Sequence, residues 1–300
     1  MDIVRLGLNG PKVSRIGLGT MMMGWRISYK DSLDMLAHAM DRGITFLDSS
    51  VSYARGNCHQ ILGRAIQSLG ARSQVVLATK VGGISRDGDP TDFVGVSPGN
   101  ILRQCELSLN QLKMDYIDLL QLHLADDTIP LEDQMGALES LRKKGHIRFY
   151  GVCNFSIKQL RGLIRIVTRD NYSGFVSHQF SYNLLEQNDR ENILEQCESR
   201  GIGTIVWGPL ASGLLTDNYS NRSTIVEGTR IDVGRERNDK LMLLKNPKTQ
   251  EILRSMVQRR VASGATIQQQ AVSWLYKNDR VTSILIGPSN IQQLQELIPD

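Results

Sequence analysis

Cysteine is sparse and scattered in this 300-residue chain: Cys58, Cys105, Cys153 and Cys197 form no CxxC pair and no short secreted framework, so they read as reduced thiols of a cytosolic protein. The first residues, MDIVRLGLNGPKVSRIGLG, lack the basic start and continuous apolar stretch of a signal peptide. No run approaches the ~18 apolar residues of a membrane span. A soluble, unexported protein with no membrane partner is expected. Charge of one sign is lacking too. The net charge is +4 with acids and bases interspersed, which argues against a nucleic-acid stripe or an acidic tail and leaves a mild bias toward anionic small molecules. There is no low-complexity segment or solenoid-like repeat, and no GxGxxG turn follows the first apolar run, which weakens an open doubly wound sheet.

What is present is a repeated unit. At 41% apolar the chain could make two typical domains, or one barrel of alternating strands and helices, which often exceeds ~250 residues. Two short alternating runs, 3–8 and 12–18, flank Asn9-Gly10, the dipeptide that most readily adopts the positive φ angles of a tight hairpin. Eight strand candidates follow, at 14–20, 44–50, 74–80, 116–123, 147–154, 174–183, 203–209 and 281–287. Amphipathic segments of helical period lie between them. Helix starts are readable at Ser97-Pro98, at Thr128 before Ile129-Pro130, and at Ser156, and Gly145 after Arg142-Lys143-Lys144 reads as a helix stop. Eight alternating units argue for a single parallel (β/α)8 barrel domain over 1–300, carrying an N-terminal hairpin. The stretch 216–246 shows no clear period; with Arg222, Arg230, Arg235, Arg237, Lys240 and Lys245 it reads either as a lid over an anionic cofactor or as a solvated basic loop.

Four chemically active residues end or follow strand candidates: Asp48, Tyr53 five positions later, Lys80 and His123. In a parallel barrel such positions converge at the C-terminal mouth. Singly, each has an ordinary explanation: a turn cap, a loop aromatic, a strand-end charge, a hydrogen-bonded core imidazole. As a set they make a proton-donating carbonyl site. A tyrosine, with an ordinary pKa near ~10, is brought toward neutrality by an ammonium; the aspartate holds that ammonium, and the imidazole orients a carbonyl oxygen.

The stretches RLGLNGPKVSRIGLGT, GITFLDSSVSYARGNCHQILGRAI, LATKVGG, MDYIDLLQLH, KKGHIRFYGVCNF, HQFSYNLLE, WGPLASGLL and ILIGPSNIQQLQE resemble the aldo-keto reductase superfamily along nearly the whole chain. That resemblance implies Tyr53 as general acid or base, Lys80 and Asp48 tuning it, and His123 positioning the substrate. It implies a nicotinamide cofactor bound extended, giving its 4-pro-R hydride to an aldehyde, ketone or sugar-like carbonyl. Cys153 and Asn154 match the serine-asparagine pair on the carboxamide, Gln179 joins them, and Trp207 matches the aromatic stacked on the nicotinamide. Pro209, Leu210, Ser212, Gly213 and Leu214 match the segment along the pyrophosphate. Glu296 matches an adenine contact.

Departures from the pattern are specific. Cys153 offers a thiol where a hydroxyl is usual, Leu297 replaces an asparagine, and the window Gly287, Ser289, Gln293 carries no cation where many members place lysine and arginine on the 2'-phosphate. NADP(H) is the expected cofactor by family, with NAD(H) possible. The chain ends at Asp300, which implies a short C-terminal loop and an open mouth. Met21, Met22, Met23, Gly24 and Trp25 either line that mouth or pack beneath it, and Arg26, Arg55 and Arg86 lie in loops on the same face. An NAD-dependent aldose 1-dehydrogenase and a nicotinamide-sensing regulatory subunit are the alternatives.

Overall fold

A computed structural model of the protein describes residues 1–83, 95–187, 189–220, 222–232, 234 and 237–298; Arg86 and Arg235 lie outside them. The chain starts with an antiparallel pair, β1 (Ile3–Arg5) and β2 (Lys12–Ser14). The turn between them differs from the expected tight one. It spans six residues, closed by Leu6 N–H donating to the Pro11 carbonyl at 2.9 Å, and its positive φ belongs to Gly7 (69°), not to Asn9-Gly10. Tertiary packing overrides the local preference: a Cβ on Gly7 would sit 2.6 Å from the Val176 carbonyl and 2.8 Å from that of Gly201. The run 12–18 is likewise split at Arg15, after which the chain enters the barrel.

The eight apolar runs form β3 (Ile16–Gly19), β4 (Phe46–Asp48), β5 (Val76–Val81), β6 (Ile117–Leu122), β7 (Ile147–Cys153), β8 (Phe175–Ser181), β9 (Gly203–Trp207) and β10 (Ser283–Ile286). Every neighbouring pair is parallel, and β10 bonds both β9 and β3, so the sheet closes on itself. The successive crossovers carry α1 (Tyr29–Asp41), α2 (Asn57–Ser68), α3 (Pro98–Leu112), α4 (Leu131–Lys143), α5 (Ile157–Arg169) and α6 (Arg190–Ser199). Three helices, α7 (Arg237–Lys245), α8 (Pro247–Ser263) and α9 (Ile267–Tyr276), return from β9 to β10, and α10 (Ile291–Leu297) follows. The architecture is a (β/α)8 barrel with an N-terminal hairpin. Among the described residues no helix is long and apolar enough to cross a membrane.

Local chemistry explains most boundaries. Ser97 accepts from the Asn100 N–H ahead of α3 with Pro98 in the first turn, Ser156 and Gln159 form a reciprocal capping box on α5, and Gly145 (φ 79°) ends α4. Thr128 is not the cap of α4. Its hydroxyl and amide both bond the Asp126 carboxylate, and Pro130 holds the cap position without a side-chain bond.

Leu6 and Val13 of the hairpin pack on the inward-facing Phe46, Ala78, Leu119 and Val176, closing the N-terminal end of the barrel. A larger apolar layer fills the space between strands and helices and takes in Met22 and Met23, with Met21 packed against it; only Trp25 of that cluster is well exposed. The packing alternative therefore holds for the methionines. The stretch 216–246 is neither loop throughout nor merely solvated: it contains α7, and Tyr219, Ile231 and Leu244 build a separate small core with Leu253, Met256 and Ile267.

Candidate active site

Asp48 ends β4, Lys80 lies one residue before the end of β5, and His123 directly follows β6. Tyr53 opens a short 3-10 turn (Tyr53–Gly56) leading into α2. All four meet at the C-terminal mouth. The fully buried Lys80 ammonium is bonded to the Asp48 carboxylate, donates to the Ser49 carbonyl at 3.0 Å and lies 3.5 Å from the Tyr53 hydroxyl. The rings of Tyr53 and His123 stand edge to face, 6.0 Å apart. After Tyr53 the backbone passes through three left-handed residues, Ala54 (48°), Arg55 (56°) and Gly56 (89°). The two that are not glycine cost about 1–3 kcal/mol each, strain of the kind found where geometry serves a site.

The electrostatics follow from burial. Burial opposes the charge on Lys80, but the Asp48 carboxylate and the neighbouring Tyr53 more than offset it, and the ammonium titrates above its ordinary range. Burial also pushes the Tyr53 phenol up, against the pull of Lys80. The net direction is opposite to the lowering expected from the ammonium alone, because desolvation of a phenolate outweighs one cation already shared with Asp48. Tyr53 is thus a neutral, proton-bearing group beside a fixed positive charge. The Cys153 thiol is pushed by burial up to about 12 and stays protonated.

Two participants escaped the sequence reading. Gln121 donates to Asp48 Oδ1 at 3.3 Å, and Ser50 Oγ lies 3.3 Å from His123 Nδ1. Period-2 alternation was the available signal: Gln121 shares the face of His123 and Ser50 that of Asp48. Gln179 donates to Asp48 Oδ1 at 2.9 Å, while its carbonyl oxygen accepts from Cys153 Sγ at 3.6 Å. Asn154, left-handed at φ 59°, donates to the His123 carbonyl at 3.2 Å and accepts the Trp207 indole N–H at 3.0 Å. The tetrad and the residues expected on the carboxamide therefore form one connected network.

Farther out, Pro209, Leu210, Ser212 and Gly213 line a cavity of about 410 Å³ together with Gly287, Ser289, Gln293 and Glu296. None of the tetrad lines it; the link inward is Gly208, on the lining and next in chain to Trp207. Leu214 of the same segment is not on this lining. Its side chain is fully buried with Leu215 and Tyr219. Arg26, expected in a loop on the face of the mouth, lines this cavity as well.

Fold and site together define a class, a closed parallel barrel with an acid–base cluster at its C-terminal rim. The comparisons narrow it: the chain matches the Aldo/keto reductase family over residues 15–299 and belongs to it, a family of oxidoreductases that use nicotinamide cofactors. It is 31% identical to aldo-keto reductase AMT2 of Alternaria alternata, over 98% of this chain and 85% of that protein. It is 28% identical to versiconal hemiacetal acetate reductase of Aspergillus parasiticus, over 99% and 96%. It is also 30% identical to a probable voltage-gated potassium channel subunit beta of Arabidopsis thaliana, over 99% and 90%.

The residues present fit a dinucleotide. A cavity of about 410 Å³ includes Gly208 on its lining, next in chain to a half-buried tryptophan ring, and two amide side chains beside the buried ion pair follow.

Proposed function

We propose that the protein reduces aldehydes or ketones with NADP(H), Tyr53 giving the proton. The observation that carries this reading is the Lys80 ammonium held between the Asp48 carboxylate and the Tyr53 hydroxyl. When bound, the cofactor supplies hydride to the carbonyl carbon. Tyr53, neutral because burial outweighs Lys80, donates to the oxygen as negative charge grows there. Lys80 stabilises the phenolate left behind, Asp48 keeps Lys80 in place, and His123, held by Ser50 at Nδ1, orients the oxygen. Trp207 would pack the nicotinamide ring, with Cys153, Asn154 and Gln179 around the carboxamide. Pro209, Leu210, Ser212 and Gly213, with Gly287, Ser289, Gln293 and Glu296, would hold the phosphate and adenine end.

A nicotinamide-sensing subunit is the second reading, supported by the similarity to the plant channel subunit. The complete tetrad favours catalysis, since a sensor needs no proton donor. Tyr53→Phe separates them. Turnover should fall about 10²–10⁴-fold while NADPH binding stays intact; near-normal turnover in the variant would end the assignment.

A further inference from the structure

The cavity that receives the outer half of the dinucleotide has an unusual charge arrangement. The segment opening α10 places Ser289 and Gln293 on its lining, and both are already engaged with their own helix turn: the Ser289 N–H donates to Gln293 Oε1 at 2.8 Å and the Gln293 N–H to Asn290 Oδ1 at 2.9 Å. The lining carboxylates also have partners. Asp217 is paired with Arg260 at 3.0 Å and Glu296 accepts from Gln268 at 2.6 Å. Among the described residues, two cations complete the lining, Arg26 and Arg230.

Arg26 is presented by a built turn. After β3 the chain folds back so that the Trp25, Arg26 and Ile27 N–H groups all bond the Met22 carbonyl, Met23 bridges Ile27, and Asn57 of α2 ties down the Gly24 carbonyl at 3.3 Å. Met22, Met23 and Ile27 are buried beneath it. The guanidinium rests 5.1 Å from the Trp25 ring centre, a neutral support that orients it without cancelling its charge.

We infer that Arg26 is the cation that binds a phosphate of the dinucleotide, from the loop after β3, in place of the lysine and arginine missing from the α10 window. The inference rests on the dinucleotide reading proposed above and assigns the source of charge within it. A guanidinium on a rigid loop matches phosphate oxygens in a fork geometry that serine and glutamine cannot supply.

The test uses the intact protein and titrates nicotinamide fluorescence with NADPH and NADH for wild type, Arg26→Ala, Arg26→Lys and Arg230→Ala. Arg26→Ala should weaken NADPH binding about ten- to a hundredfold, with Arg26→Lys recovering part of the loss. A loss confined to NADPH assigns the 2'-phosphate, and an equal loss with NADH assigns the pyrophosphate. Unchanged binding of both cofactors to Arg26→Ala overturns the inference, as does a loss seen only in Arg230→Ala. Failure of the underlying reading is distinguishable, because wild type itself would then bind neither cofactor.

Discussion

At the Cys153 position a single atom separates this chain from the hydroxyl that the family resemblance implies there. The thiol is buried, protonated, 3.6 Å from the Gln179 carbonyl oxygen and 3.1 Å from the Asn154 amide nitrogen that donates to it. Sulfur donates and accepts weakly, so both amides are held more loosely than an oxygen would hold them. Cys153→Ser should therefore tighten nicotinamide binding by about two- to fivefold, the worth of roughly 0.5–1 kcal/mol in one improved hydrogen bond. Cofactor titration reads this directly, and weaker binding by the serine variant would show that sulfur is the better fit. The four reactive residues were legible at this scale because side-chain type at a strand end carries the chemistry. Gln121 and Ser50 were less so: strand alternation puts them on the faces of His123 and Asp48, but each acts on a partner 73 residues away, and no local pattern names that partner.

At the scale of elements, an ion pair ties α7 to the loop after β8, beside the packing of Leu244 in the small core. Lys240 Nζ reaches Glu186 Oε1 at 2.8 Å, and Asn183 donates both to Glu186 at 2.8 Å and to the Gly208 carbonyl at 3.0 Å, where the proposed cofactor loop begins. Lys240 is nearly buried whereas Glu186 is about a third exposed, 34% by side chain. Removing the charge with Glu186→Gln should destabilise the fold by roughly 1–3 kcal/mol, less than for a fully buried pair. Urea unfolding measures the total, and amide exchange should rise first in α7 and around Gly208; a uniform rise would contradict the latch. The same helix shows why part of the fold was hidden. Its sequence, RNDKLMLLK, buries only Lys240 and Leu244, too little apolar period to read as a helix. The eight strands were legible because each is an apolar, β-branched run bounded by turn residues, and the Ser97 and Ser156 caps because their bonds lie within three residues. The hairpin turn and the start of α4 were misread because distant or competing partners, the carbonyls of Val176 and Gly201 in one case and Asp126 in the other, outbid the local preference.

The closed barrel as a whole traps two imidazoles in neutral form. His59 of α2 bonds Thr79 of β5 at 2.8 Å, and His178 of β8 lies 5.1 Å from the Phe180 ring with neither nitrogen partnered among the described residues. Burial lowers both to about 3, helped at His178 by Arg190 and opposed at His59 by the neighbouring Gln111 side chain, which favours the imidazolium. The folded values lie below the ordinary ~6.5, so the unfolded chain takes up these protons first. Their contribution is complete above about pH 6.5 and is lost as pH falls from there toward about 3, by up to ~1.4 kcal/mol per pH unit for each imidazole. Near pH 5 the two together should cost roughly 2–4 kcal/mol relative to neutral pH. His178→Leu removes one of them and replaces unpartnered nitrogens with apolar atoms. Urea midpoints between about pH 7 and 5 should therefore fall less steeply in the variant than in wild type, the carboxylates being common to both. Parallel pH curves would mean that the His178 ring is protonated or solvated inside the fold, and that the barrel wall at β8 is open to water.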